Sequence, residues 1–306
     1  MTLTLRDELA ERSRRAACHV AAGLGLKIDS TELIAFASNM VLLLQPYNLV
    51  ARVSGEAAVI RSEDGARERE IAVAQFLANA RAPVVAPSDL IDPGPHAYDG
   101  LIVTFWDYVP DEEARKPETE AFETLAHCRA SLASFPEPLP YMRGYNDARQ
   151  LFHDLWRNDT LGAIDPGDTV RKLVEIDAML DAGGGASSTS NVPLHGDAHL
   201  SNMLMDAGRG LWIDWEDVCQ GPVEWDYACL IVSIRNDEMS TEGDSPAIAT
   251  AIEEIDRDVL EILIVARNLQ FDLWDTAIEV LNRPDKIRPN IFLRGVRDLR
   301  RRLGPR

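Results

Sequence analysis

The stretch SNMVLLLQPYNLVARVS, residues 38–54, sets two apolar runs (40–44 and 49–53) on either side of Gln45-Pro46-Tyr47-Asn48. Proline and asparagine between two such runs predict a turn, and the runs themselves a β-hairpin. A hairpin cannot stand alone in water, so this segment requires further strands or a covering helix. APVVAP and LIDPGPHAYDGLIVTFWDYV supply short strand signals broken by Pro and Gly, the run 101–105 being the strongest. Residues 5–22 read as an opening helix with Leu5, Leu9, Ala16 and Val20 loosely on one face. Residues 62–80 read as a second helix, with Ser62 as N-cap and an apolar stripe of Ile71, Ala74, Leu77 and Ala78.

After Pro110 the pattern changes. Residues 118–135, 145–157 and 168–181 carry helical periodicity. AGGGASSTS, between Asp181 and Asn191, cannot pack a core and predicts a surface loop. Two short strands follow around 203–205 and 211–213, and the rest, from about 223 to 305, reads as helix. A β-rich first third leading into a helical remainder is an α+β organisation. The 306 residues suffice for two domains at roughly 150 residues each.

Composition narrows the partners. There are 31 basic and 50 acidic residues, a formal charge of −19. The phosphates of nucleic acid and of anionic membranes would be repelled, and a cationic small molecule attracted. The cysteines Cys18, Cys128, Cys219 and Cys229 include no CxxC pair, and no His stands beside them at zinc-site spacing, so reduced, mostly buried thiols are expected. No uninterrupted apolar run reaches about 18 residues, and MTLTLRDELAERSRR lacks the apolar core of a signal peptide. A cytoplasmic protein is expected.

The chemistry concentrates in LHGDAHLSNMLMDAGRGLWIDWEDVCQGPVEWDYACL, residues 194–230. Asp197 sits in a short polar stretch, Asn202 follows five positions later, and Asp214 follows the apolar run Leu211-Trp212-Ile213. Oxygens at the ends of adjacent strands can converge on one magnesium ion, which takes one or two protein carboxylates plus phosphate and water. Phosphoryl transfer asks for this set, since the protein must hold the metal, aim the nucleophile and neutralise charge. A further acid beside the metal pair, here Asp197, can accept a hydroxyl proton.

HGDxHxxN, then IDWE, then GPxxWD, is similar to the aminoglycoside phosphotransferase-like kinase family, most sharply over residues 194–230 and more weakly back to about residue 39. The resemblance implies a bilobal protein-kinase-like fold, with a small β-rich lobe over 1–105 and a larger, mainly helical lobe over 106–306. It implies that Asp197 is the catalytic base and that Asn202 and Asp214 bind Mg²⁺, the first motif matching the kinase catalytic loop and the second the metal-binding DFG segment. It makes His195 a structural residue and Asp226 a buried acid bracing the loop. His199 is read as a loop-stabilising hydrogen bonder.

By the same resemblance, Arg52 takes the place of the strand lysine that meets the nucleotide phosphates and a helix glutamate, here Glu70, with Glu68 as the alternative. Arg keeps the charge but brings a planar fork in place of a point donor. Gln45-Pro46-Tyr47-Asn48 stands where the phosphate-covering loop belongs and holds no glycine. Residues 104–109 (TFWDYV) resemble the hinge, so ATP or GTP would meet backbone groups of Asp107, Tyr108 and Val109 beside Trp106. The same aromatics serve equally well as core. The acceptor side would draw on the segments RNDEMSTEGDSP and AIEEIDRDVLE, with Glu216 and Glu224 as nearer acids. An aminated acceptor such as an aminoglycoside or amino sugar suits such carboxylates, and a solvated face equally explains a charge run.

Other chemistries fit less well. His195 and His199 are four apart, but a glycine lies between them and no HExxH glutamate follows, against a zinc helix. Neither GxxxxGK[ST] nor GxSxG is present. The remaining histidines, His19, His96, His127 and His153, read as structural or surface. Two rivals stay open: a nucleotide-binding pseudokinase, resting on Arg52 and the glycine-free hairpin, and nucleotidyl transfer on the same scaffold.

Overall fold

A computed structural model describes residues 5–36, 39–54, 65–111, 116–188, 190–236, 245–253 and 255–282. The chain divides into two compact units. One lies within Met1–Gln75 and Val85–Val109, the other within Phe76–Val84 and Pro110–Arg288.

The first unit opens with helix α1 (Leu5–Gly23), followed by strands β1 (Ser30–Phe36), β2 (Asn39–Gln45) and β3 (Leu49–Ser54). Helix α2 (Ala66–Asn79), which belongs to this unit up to Gln75, and strands β4 (His96–Tyr98) and β5 (Leu101–Asp107) come next. The strands form one antiparallel sheet in the order β1-β2-β3-β5-β4. The expected hairpin is β2–β3, in register from Leu44 opposite Leu49 to Asn39 opposite Ser54. Strand side chains alternate between faces. Met40, Leu42 and Leu44, Leu49, Ala51 and Val53, and Leu101, Val103 and Phe105 cluster with Leu9, Ala16, Ala17 and Ala21 of α1. Val20 packs partly buried against the same cluster. Arg52, one residue out of phase with Ala51 and Val53, therefore lies on the opposite face.

β1 carries no clear strand signature in the sequence. It is an edge strand, mostly exposed, with a register irregularity between Leu33 and Ala35, so burial imposes no alternation on it. Helix α2 is described from Ala66; Ser62, the expected cap, lies outside the described residues.

The second unit contains helices α3 (Glu118–Leu132), α4 (Arg143–Arg157) and α5 (Pro166–Ala182), then strands β6 (Val192–Leu194), β7 (Met203–Asp206), β8 (Arg209–Trp212) and β9 (Cys219–Gly221). Helices α6 (Glu224–Arg235), α7 (Pro246–Ala251) and α8 (Arg257–Asn282) complete it. At the start of α5 the Asp165 side chain accepts a hydrogen bond from Asp168 N–H, with Pro166 in the first turn, a capped start of the kind sequence can announce. The Gly/Ser segment contains one short 3₁₀ turn, Gly185–Ser187. β7 and β8 form a hairpin, and β6 pairs with β9 across the intervening segment. Trp212, Trp215 and Trp225 are sealed in this unit's core. Helix α8 packs against α4, α5 and α6. The final helical stretch expected towards 305 lies outside the described residues beyond 282.

The four cysteines are free, and all but Cys18 are buried. Burial pushes the Cys219 and Cys229 thiols well up, so they are inert as nucleophiles. Among the described residues, no helix is long and apolar enough to cross a membrane.

Candidate active site

In the second unit, the loop between β6 and β7 carries His195, Asp197, His199 and Asn202, and the turn after β8 carries Asp214. Asp226, in the first turn of α6, clamps the loop's start. Its Oδ2 accepts from His195 N–H at 2.9 Å and its Oδ1 from Gly196 N–H at 2.9 Å. Burial pushes the Asp226 carboxyl above its ordinary range, opposed by nearby His195 and by the two N–H donors. Trp225 Nε1–H donates to the Gly196 carbonyl at 2.9 Å, so one turn of α6 satisfies three backbone groups of the loop. Gly196 is required here, because its φ is +85° and the Asp217 carbonyl approaches it closely.

His195 is buried between the rings of Trp212 and Trp215. Its Nδ1 accepts from Asp197 N–H at 3.3 Å, which leaves Nε2 to donate to the Ile213 carbonyl at 3.0 Å. Both ring nitrogens are thus engaged with backbone, and the imidazole joins the loop of Asp197 to the strand end before Asp214. A second tie runs parallel: Ile213 N–H donates to the Asn202 carbonyl at 2.9 Å. Asn202 in turn donates from Nδ2 to the Asp197 carbonyl at 3.1 Å, so its Oδ1 is the atom suited to a metal. Asp214 holds a left-handed conformation, φ +64°, which an Asp tolerates better than most residues. Non-glycine residues kept in such conformations cluster at ligand sites.

Asn202 and Asp214 offer one amide and one carboxylate oxygen, hard donors of the kind magnesium takes. Among the described residues no group of three or more His, Cys, Asp or Glu could hold a metal ion alone. An ion on this pair would complete its shell with phosphate oxygens and water, which is how magnesium is held beside a nucleotide.

Asp197 is about one-fifth exposed, with His199 Nε2 3.6 Å from its Oδ2. Its Oδ1 accepts a hydrogen bond from Arg267 Nη2 of α8. The acceptor candidates differ: Glu216 is almost wholly buried, which leaves it little surface for a ligand, whereas Glu224 is half-buried in the first turn of α6. Of the acidic segments offered for the acceptor side, 237–244 and 254 lie outside the described residues.

In the first unit, Arg52 Nη1 donates to Glu70 Oε1, and Arg67 Nη1 donates to Glu70 Oε2 at 3.2 Å. Glu70, the glutamate that Arg52 meets, is fully buried, and Glu68 is exposed. Arg67 also reaches Asn39 Oδ1 at 3.2 Å. Removing the carboxylate would leave two largely buried guanidinium groups without their shared counter-charge. Glu70→Ala is therefore expected to lower stability by about 3 kcal/mol, read by urea denaturation.

At the end of β5, Trp106 is buried and its indole N–H donates to Thr104 Oγ1 at 2.9 Å. Asp107 N–H donates to the Ala86 carbonyl at 3.0 Å, while Tyr108 and Val109 lie beyond the strand, half-buried. Burial and neighbouring Asp89 raise the Asp107 carboxyl above its ordinary range.

Sequence reasoning missed Arg267, Arg67, Asn39 and Arg143, whose Nη1 donates to the Glu216 carbonyl. No short-range pattern marks them. Arg67 stands one helical turn before Glu70, a weak signal at best.

The sequence profile of the phosphotransferase enzyme family matches residues 48–262, more than half of the chain. No curated protein matches the chain. Among solved structures, the chain is similar to the amicoumacin kinase hAmiN in complex with AMP-PNP, Ca²⁺ and Ami. That likeness has a TM-score of 0.67 and 12% identity, and covers 90% of this chain and 89% of that one. It is also similar to the choline kinase LicA from Streptococcus pneumoniae, with a TM-score of 0.62, 13% identity and coverage of 95% and 98%. A third is the aminoglycoside phosphotransferase APH(3'')-Id from Streptomyces rimosus, with a TM-score of 0.57, 17% identity and coverage of 84% and 98%. At these identities the likeness establishes the fold, which is α+β and protein-kinase-like.

Proposed function

The chain belongs to the phosphotransferase enzyme family, and from that premise we propose that it moves the γ-phosphate of ATP or GTP to a hydroxyl of a small molecule, with Mg²⁺ on Asn202 and Asp214. What supports the reading is the chain of bonds from Asp197 through Asn202 to Ile213, the residue before Asp214, which ties the loop of the first two to the strand end that carries the third. Asp197 accepts the proton of the acceptor hydroxyl as its oxygen attacks phosphorus. Asn202 and Asp214 hold the ion, which when bound neutralises charge on the phosphates. His195 and Asp226 keep the loop's shape through bonds to backbone. In the first unit, Arg52, fixed by Glu70, is the candidate for the nucleotide phosphates, and backbone groups of Asp107 to Val109 are the candidates for its base.

The acceptor is an alcohol that carries an amine, such as an aminoglycoside or amino sugar. Two considerations support this: the acceptors in the names of the three similar kinases, and a formal charge of −19 that favours cations. Of the two acids nearest the loop, Glu224 is more exposed than Glu216 and is the better placed to contact it.

The test is nucleoside diphosphate release from Mg-ATP and Mg-GTP across aminoglycosides, amino sugars, neutral sugars and choline. Acceptor-dependent release supports the proposal and identifies the acceptor. Pyrophosphate in place of the diphosphate would replace it with nucleotidyl transfer, and magnesium-dependent binding without any turnover would favour a pseudokinase. Asp214→Asn replaces the one carboxylate of the proposed metal pair with a neutral amide. It is expected to weaken magnesium-dependent nucleotide binding by about tenfold or more, measured by titration calorimetry with and without the ion.

A further inference from the structure

Arg267 is the most deeply buried cation at the site, 2% exposed, and it comes from α8, seventy residues beyond the loop it touches. Its guanidinium is held from several sides. Nη2 donates to Asp197 Oδ1, Nη1 donates to Gln270 Oε1 at 2.6 Å, and the group stacks over the Phe271 ring with Cζ 4.2 Å from its centroid. Among the described residues, its buried Nε has no hydrogen-bond partner.

A buried ion pair with an orphaned donor is a poor device for stability, because desolvating the charges offsets their attraction and the unpaired N–H adds a further cost. An apolar side chain packed on Phe271 would suit a purely structural need better. What the arrangement does supply is direction. A planar guanidinium fixed by Gln270 and Phe271 accepts only certain carboxylate orientations. Arg267 and His199 thus meet different oxygens of the Asp197 carboxylate, Oδ1 and Oδ2.

We infer that Arg267 is the positioning residue of the site: it holds the Asp197 carboxylate in the rotamer that presents Oδ2 to the acceptor hydroxyl. The inference rests on the phosphotransfer reading and extends it to a residue outside the motifs.

The first measurement needs no acceptor. Hydrogen exchange of the segment 195–202 is compared in wild type, Arg267→Met, Arg267→Lys and Arg267→Gln, with melting temperatures alongside. A positioning role predicts exchange at Asp197 and Asn202 faster by about tenfold in Arg267→Met and Arg267→Gln. Lys should restore part of the protection, and exchange of α4 and α6 should be unchanged. The second measurement uses whichever acceptor supports wild-type turnover. There kcat should fall about a hundredfold in Arg267→Met, with KM for nucleotide within about threefold, and Lys should recover part of the loss. In an Asp197→Asn background Arg267→Met should change kcat no further. Unchanged exchange at 195–202, or losses that multiply in the double variant, would overturn the inference. Exchange that rises across α4 and α6 together would do the same, because it marks a stability role. Wild-type protein that transfers no phosphate but shows the local exchange change would sink the phosphotransfer reading and leave the loop-positioning role standing.

Discussion

Asp197→Asn is expected to lower acceptor-dependent turnover by a factor of about 10²–10⁴ while nucleotide affinity stays within a few-fold. The loss follows from the proposed step: an amide cannot take the hydroxyl proton, yet it is close in size to the carboxylate. The backbone of residue 197 still receives the Asn202 side chain and still donates to His195, so the metal ligands stay in place. The substitution has a second effect that the motif alone does not foretell. Arg267 loses the charge of its nearest partner, although an amide oxygen can still accept from Nη2 and Asp217 remains within electrostatic reach. A stability loss of about 1–3 kcal/mol is expected. Turnover and thermal unfolding should therefore be measured on the same preparation. Wild-type kcat in a folded Asp197→Asn protein would remove Asp197 as the base.

The largest loss of stability is expected from Gly196→Ala. A Cβ at that position would lie 1.9 Å from the Asp217 carbonyl oxygen and 2.7 Å from its carbon, and φ there is +85°. Both obstacles are backbone, so no rotamer change relieves them. Moving the loop instead would break the Asp226 clamp and the Trp225 bond to the Gly196 carbonyl. A cost above about 4 kcal/mol is expected, the range reserved for such backbone conflicts. For a chain of this size that corresponds to a melting temperature lower by about 6 °C or more. Calorimetry decides the matter, and a shift under about 3 °C would show that the loop has slack that its bonds do not suggest.

Much of the molecule was legible because it depends on neighbours in the chain. Two apolar runs on either side of a Pro/Asn turn announced the β2–β3 hairpin, whereas the facing of Arg52 away from Leu49, Ala51 and Val53 was read from the structure. Helical periodicity announced α3, α4 and α5 to within a few residues. The spacing of His195, Asp197, Asn202 and Asp214 announced a loop, a strand and a second loop, which β7 and β8 supply. β1 was not legible, because an exposed edge strand has no buried face to write a pattern. The three-residue pair β6 and β9 is too short to show one. Trp106, open to two readings in sequence, is buried and bonded to Thr104.

By itself, then, the sequence determined the α+β order of elements and the identity and spacing of the chemical groups, since local periodicity and motif spacing are properties of consecutive residues. Which partners those groups keep was decided only by the tertiary structure. Asp226 reaches back thirty residues to the loop, Arg67 shares Glu70 with Arg52, and Arg267 comes from α8 to the carboxylate of Asp197. The physical reason is that a buried charge must find its counter-charge wherever packing brings one within reach, and packing is set by the whole core rather than by distance along the chain.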